Sequence, residues 1–314
     1  MSLTHRPGVA ERLTAHSLRN PDFTHLSPTF DLHPSAQPVA EIISSAVDRR
    51  CTVQFDRAGG FDYVYASFAS ILDQYLGALA EPTALQVALS GGGDGRILGE
   101  CIGRYMMEHP TVAFHAVITA NGVEDETEHL RSATAVAARF GIPYTSYTEA
   151  QSAELLGFAT DLGSAFERYR REFPDDEAEV VGTYWVQEVN RLAAGAADRT
   201  TIVYGFNQED VIAERLFQAL VGSILPPYPV RHIQGLDLIA PLCKVPKKLI
   251  DALDVDNSQR NYAARRPSVS YLRSSLYFLA YAVIEQFPAL AAAFVDGLEA
   301  PGADEVPEFL DRLR

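Results

Sequence analysis

From residue 84 onward, short apolar runs alternate with segments of helical periodicity, and this alternation restricts the possible folds more than any other feature of the chain. LQVALS, VAFHAVITA, IPYTSYT, TIVYGF and LDLIAPL read as five strands. Most are nearly continuous in hydrophobic character, as strands covered on both faces are. ILGECIGRYMMEH, ETEHLRSATAVAARFG, VVGTYWVQEVNRLAAGA and DVIAERLFQALVG carry apolar residues at helical spacing, and Gly141 ahead of Pro143 is a normal helix stop. The expectation is an α/β chain with a parallel five-stranded sheet and helices on both faces. VPKKLIDAL and SYLRSSLYFLAYAVIEQF predict a C-terminal helical region, the second being its longest helix. ERYRREFPDDEAE reads as a polar connection, and its acid run Asp175, Asp176, Glu177 and Glu179 as a solvated face.

Residues 1–50 hold no strong pattern and are punctuated by proline and histidine. CTVQFDRAGGFDYVYASF reads as a strand and a turn, with Gly59-Gly60 as the turn, followed by a helix over ASFASILDQYLGALA. The organisation expected is an N-terminal extension and small cap over 1–83, a main α/β domain over 84–243 and a helical substrate region over 244–314.

Composition narrows the function classes. At 47% hydrophobic residues the chain has ample material for a core. No apolar run approaches the roughly 20 residues of a membrane span, and MSLTHRPGVAERL is too polar for a signal peptide; a soluble, cytoplasmic protein is expected. The net charge of −15 gains little from counterion release on a nucleic acid, although a local basic patch remains compatible with one. Cys51, Cys101 and Cys243 are odd in number, widely spaced and without a CxxC pair. That argues against a disulfide framework, a zinc finger or an iron–sulfur site built from this chain alone. Cys101 and Cys243 read best as small buried apolar residues. No histidine pair has metal-ligand spacing.

The segment VALSGGGDGRIL, residues 87–98, carries the chemistry. An aliphatic strand stops at Ser90; Gly91, Gly92, Gly93, Asp94, Gly95 and Arg96 follow, and a helix begins near Asp94. Strand-to-helix turns of a parallel sheet lie at its carboxyl edge, where ligands bind. Glycine permits left-handed dihedrals and lets a ligand lie on backbone N–H groups. A helix N-terminus adds unpaired donors and partial positive charge. Together these shape a turn for an anion, most often phosphate. A Walker loop would need a lysine that is absent, and a Rossmann turn would need a different glycine spacing. A glycine-rich connector without ligand is the alternative, but a connector does not need serine, three glycines and aspartate between a buried strand and a helix.

The segment resembles the SGGxDS signature of the PP-loop, or N-type, ATP pyrophosphatases. Ser90, Gly91, Gly92 and Asp94 fall on it, and Gly95 replaces the final serine. VITANGVEDETEHLRSATAVAARFGIPY is similar to the family's second strand, acidic loop and following helix. TIVYGFNQEDVIAERLFQALVG is similar to its GHNxDDxxET…LLRG segment: Gly205, Asn207 and Asp210 match, while Phe206 stands for the histidine and Glu209 for an aspartate. LDLIAPLCKVPKKLI is similar to xxIRPLLxVxKxEI. The resemblance spans about residues 84–290. It implies a HUP-like sheet, ATP and Mg²⁺ as cofactors, and cleavage of ATP between the α and β phosphates with adenylation of a substrate oxygen.

Thiolating members carry CxxC pairs. Here RRPSVSYLRSSLYF places Ser268 and Ser270 in that region, and serine cannot replace a thiolate. CTVQFDRAGGFDYVYAS resembles the FDxxGxCxxC opening of the N-acetyl sugar amidotransferases through Phe55, Asp56 and Gly59, but lacks the cysteines. The nearest members are therefore the N-acetyl sugar amidotransferases and the tRNA lysidine synthetases, which use a nitrogen nucleophile. The reaction implied is adenylation of a small-molecule acceptor with release of pyrophosphate, then attack by ammonia or an amine.

The roles that follow are these. Ser90, Gly91, Gly92, Gly93 and Gly95 hold phosphate, with Gly205, Asn207 and Lys244 beside them; Lys247 and Lys248 are further phosphate candidates. Asp94 and Asp210 hold Mg²⁺ and are catalytic, and Arg96 compensates for the missing serine hydroxyl. Ile118 to Asn121 meet adenine, and Tyr271 and Arg273 orient the acceptor. The partners implied are the acceptor, free ammonia or a glutaminase partner supplying it, and a second copy of the chain in a homo-oligomer, without nucleic acid or membrane. A sulfurtransferase acting through Cys243 or a protein-bound sulfur donor, a non-catalytic nucleotide-binding module and an ATP-independent interaction protein are the competing readings.

Overall fold

The computed structural model describes residues 40–44, 51–79, 84–120, 122, 125–172, 178–195, 200–221, 228–233 and 235–254, with 275–277, 279, 280 and 295 of the C-terminal part. Two short strands, β1 (Ala40–Ser44) and β2 (Cys51–Phe55), form an antiparallel pair. The helix α1 (Arg57–Gly77) follows at once. Gly59-Gly60 is thus not a turn but the first turn of α1. Asp56 explains the difference: its carboxylate accepts from the Gly59 N–H at 2.7 Å and caps the helix. From there Val64, Phe68, Ile71, Leu72 and Tyr75 fall on one buried face.

The main sheet is built from β3 (Leu85–Ala88), β4 (Phe114–Thr119), β5 (Tyr144–Tyr147), β6 (Thr200–Tyr204), β7 (Val230–Ile233) and β8 (Leu236–Ile239). Its order is β5-β4-β3-β6-β8-β7. The five expected strands are the five parallel ones. The sheet nevertheless has six strands, because β7 adds an antiparallel edge beside β8. VRHI does not read as a strand, since two of its four residues are charged or polar. Arg231 is fully buried there by a paired contact with Glu214, at 2.7 and 3.0 Å.

Helices α2 (Gly93–Glu108), α3 (Glu126–Arg139), α4 (Glu149–Leu155), α5 (Leu162–Glu172), α6 (Ala178–Ala193), α7 (Gln208–Val221) and α8 (Lys247–Leu253) complete the described elements. ERYRRE is helical as part of α5, not a connection; Leu162 and Phe166 are its buried anchors. α4 lies in a segment without strong periodicity and is fixed by a capping box between Thr148 and Gln151. SYLRSSLYFLAYAVIEQF is helical at 275–277, 279 and 280; the rest of that segment, with Tyr271 and Arg273, lies outside the described residues.

One hydrophobic cluster draws on all three expected segments: Val64, Phe68 and Leu72 from α1, Ile97, Leu98 and Ile102 from α2, Leu249 and Ile250 from α8, and Leu276 beyond. Each fully buried Leu or Ile of this cluster contributes about 2–5 kcal/mol against truncation to Ala. The consequence for the site is rigidity: the turns after β3 and β6 are carried on packed elements. No described helix is long and apolar enough to cross a membrane.

Candidate functional site

The strand order sets the location. β3 is followed by β4 on one side of the sheet, whereas β6 lies on the other side of β3. Consecutive βα turns therefore diverge between β3 and β6, opening a crevice at their carboxyl ends. Ala88 is in register with Tyr204, so the turns SGGGDG and GFNQED leave the sheet side by side.

In the first turn Gly92 is the N-cap of α2, with extended backbone and no side-chain cap. The carbonyl of Gly92 accepts the Arg96 N–H at 3.0 Å, the first helical bond. The N–H groups of the opening turn of a 16-residue helix thus face the crevice edge without a side chain of their own to satisfy them. None of Gly91, Gly92, Gly93 and Gly95 has positive φ. The left-handed dihedrals expected there are absent, and the glycines serve close approach instead. A Cβ on Gly91 would lie 2.2 Å from Ser132 Cβ of α3, and one on Gly95 would lie 2.0 Å from the Ser90 carbonyl oxygen. A Cβ on Gly92 would meet only Ser90 Oγ at 3.7 Å. Two glycines are therefore demanded by the protein's own packing, and Gly92 keeps a space open.

The second turn is closed by its own side chains. Asn207 precedes α7, its carbonyl accepting from the Val211 N–H. The Asp210 N–H donates to Asn207 Oδ1 at 3.1 Å, and the Asn207 N–H donates to Asp210 Oδ2 at 2.8 Å. This reciprocal arrangement is a capping box, and it fixes the direction of the Asn207 amide. That amide donates to Asp94 Oδ1 at 3.1 Å. Lys247 Nζ, from the first residue of α8, donates to Asp94 Oδ2 at 2.7 Å and lies 3.4 Å from the buried Asp251. Glu209 is also buried, and its Oε2 accepts from the Lys247 N–H at 2.7 Å, so it holds the start of α8 against the start of α7. Tyr277 donates its hydroxyl to Asp210 Oδ1 at 2.6 Å. A Cβ on Gly205 would lie 3.5 Å from the Asp94 backbone, at ordinary contact distance.

The electrostatics follow from this crowding. Burial pushes the Glu209 carboxyl up to about 8. Burial, then the Asp94 charge, push Asp210 up to about 6, against the opposing bonds from Tyr277 and the Asn207 backbone. Two carboxylates close enough to repel, with one lysine beside them, form a set that a divalent cation fits.

No protein-family model matches the sequence, and no curated protein matches it. Among solved structures, the U34-tRNA thiolase NcsA from Methanococcus maripaludis, described with its [4Fe-4S] cluster, aligns with a TM-score of 0.60 at 18% identity over 78% of this chain and 80% of that one. The chain therefore shares the fold of that protein, a mostly parallel α/β sheet flanked by helices. The NAD+ synthetase from Burkholderia pseudomallei aligns at 17% identity over 82% of this chain and 87% of that one, with a TM-score of 0.41.

Within this fold the expected residues are distributed as follows. Asp94, Gly205, Asn207 and Asp210 meet at the crevice, beside the Ser90–Gly95 turn. Arg96 instead pairs with Asp254 at 2.6 Å, clamping α2 to the end of α8. Lys244 lies in the turn after β8, and Lys247 is the lysine that reaches Asp94. Ile118 is fully buried in the core; Asn121 lies outside the described residues. Cys101 and Cys243 are both buried in the hydrophobic cluster. Among the described residues, no group of three or more His, Cys, Asp or Glu side chains is placed to hold a metal ion. Tyr277 and Glu209 were not among the expected site residues. Glu209 stands at a signature position, which was its signal; Tyr277 had none, because nothing in the sequence relates it to Asp210.

Proposed function

We propose that the protein binds ATP with Mg²⁺ and adenylates a substrate oxygen, releasing pyrophosphate, after which ammonia or an amine displaces AMP. The observation that carries this reading is the uncapped N-terminus of α2 at the diverging crevice, with Asp94 in its first turn flanked by Asn207 and Lys247. The backbone N–H groups around Gly92 to Gly95 bind the phosphates. Lys247 leaves or shares Asp94 to meet phosphate oxygen. Asp94 and Asp210 would hold the cation with phosphate oxygens completing its shell, and Mg²⁺ supplies neutralisation of charge on the leaving pyrophosphate. Asn207 orients Asp94, and Glu209 keeps Lys247 in reach. Donors fixed in this way favour the charge that develops on the bridging oxygen over the charge of the ground state.

A nitrogen nucleophile is favoured by the cysteine inventory: Cys101 and Cys243 are buried in the core, and burial raises the Cys101 thiol. The likeness to a tRNA thiolase favours a second reading, ATP-dependent sulfur transfer, which would need its sulfur from a separate donor. Incubation with ATP, Mg²⁺ and candidate acceptors, with ammonia or with a persulfide donor, tests both. AMP and pyrophosphate are the expected products. ADP and phosphate in stoichiometric amounts would exclude both readings, and sulfur found in the product would replace the first by the second.

A further inference from the structure

We propose that Tyr277 is a positioning residue that holds the Asp210 carboxylate in the orientation required for a divalent cation, and so ties the C-terminal part of the chain to nucleotide binding. The proposal rests on the ATP and Mg²⁺ reading above. Asp210 Oδ2 is occupied by the Asn207 N–H, a bond internal to the capping box that leaves the carboxylate free to tilt about it. The Tyr277 hydroxyl engages the other oxygen at 2.6 Å and fixes that tilt. Each carboxylate oxygen retains a further lone pair, so the bond orients Asp210 without filling the position a cation needs. Tyr277 itself is seated by its ring, which packs on the main core. The chain of contacts then runs from Tyr277 through Asp210 and Asn207 to Asp94 and Lys247. Partners that orient a metal ligand from behind commonly account for about 10–100-fold in metal affinity. A tyrosine that only packed would be indifferent to the cation and would lose nothing when its hydroxyl alone is removed.

The test is calorimetric, on the full chain, with α,β-methylene-ATP as the probe, titrated with Mg²⁺ and separately in EDTA. Tyr277→Phe is expected to raise the Mg²⁺ half-saturation concentration about 10-fold or more and to leave analogue binding in EDTA unchanged. Asp210→Ala and the double variant are expected to match each other in Mg²⁺ half-saturation, since the proposed effect of the hydroxyl on the cation runs through that carboxylate. Tyr184→Phe, at an exposed position of α6, is the control and stays at the wild-type value. A Tyr277→Phe half-saturation within about two-fold of wild type, an equal loss with and without Mg²⁺, or an additive loss in the double variant would overturn the proposal. Hydrogen exchange on the wild type decides the matter if Tyr277→Phe does not fold: amides of 275–280 gain protection with Mg²⁺ and analogue together, and the same protection with analogue alone would overturn it. A wild type that binds no analogue removes the nucleotide reading and this inference with it; a wild type that binds, beside an indifferent Tyr277→Phe, removes the inference alone.

Discussion

The two turns that leave the sheet at the crevice begin helices of similar length, α2 with 16 residues and α7 with 14, yet they end their strands in opposite ways. The turn after β6 is satisfied by its own side chains, with Asn207 and Asp210 closing a capping box. The turn after β3 is glycine-rich, and its N-cap, Gly92, brings no side chain to the helix it starts. A protein selected for stability alone would cap both, since a cap contributes about 0.5–2 kcal/mol. Under the proposed function the difference divides the roles: the β6 turn is a support that aims Asn207 at Asp94, and the β3 turn is the surface on which an anion would replace the missing cap.

Several substitutions would break or sharpen this contrast. The largest effect is expected from Gly95→Ser, which introduces the serine of the SGGxDS signature that the segment resembles. Its Cβ would fall 2.0 Å from the Ser90 carbonyl oxygen, a backbone clash at the upper end of overpacking, about 3 kcal/mol or more. Chemical denaturation should show that loss. Wild-type stability would mean the turn has more room than its geometry allows. Asp94→Asn comes next: melting is expected to stay near wild type, while AMP release falls at least about 100-fold. Undiminished turnover in the folded variant would remove Asp94 from the chemistry.

Smaller effects separate the two turns more finely. Asn207→Ala should lower stability by about 1–2 kcal/mol through the lost cap, whereas Ser90→Ala, at an exposed position, should change it by less than about 0.5 kcal/mol. Equal losses in denaturant titrations would erase the difference between a capped and an uncapped turn. Among the substitutions expected to cost stability, the smallest loss is expected from Phe206→His. Phe206 packs against Tyr204 at 5.3 Å and edge-on to Tyr228 at 6.0 Å, and the loss should be about 1 kcal/mol, with turnover retained. A large gain in turnover would show that the histidine of the signature was missing for chemistry.

Four of the five parallel strands were legible because strands buried on both faces write largely apolar runs; β5, an exposed edge strand, was legible from its β-forming Tyr and Thr after the helix stop at Gly141. The antiparallel β7 was not, because Arg231 is buried by Glu214, a residue 17 positions away, and charge in a sequence reads as surface. The Gly59-Gly60 dipeptide reads as a turn until Asp56 is seen to cap the helix that contains it. At the site, the glycine segment stood out in the sequence, but the packing behind its glycines was legible only in three dimensions: a Cβ would clash with Ser132 at Gly91 and with Ser90 at Gly95, whereas at Gly92 it would make ordinary contact. Lys247 was one of three candidate lysines until α8 placed it on Asp94. Tyr277 and Arg96 show the limit in both directions. The first joins the site through a contact 67 residues distant, and the second is held away by Asp254, which no local pattern foretells.

The central claim is that the uncapped start of α2 holds the phosphates of ATP, and Gly92 tests it most directly, because a Cβ there meets nothing of the protein closer than 3.7 Å. Calorimetric titration of Mg²⁺ and α,β-methylene-ATP into wild type and Gly92→Val, beside their melting curves, is the measurement. The account predicts equal melting within a few tenths of a kcal/mol to about 1 kcal/mol and an affinity weaker by about 10-fold or more in the variant, as the valine fills the space kept for phosphate. Equal affinities in two equally stable proteins would contradict it.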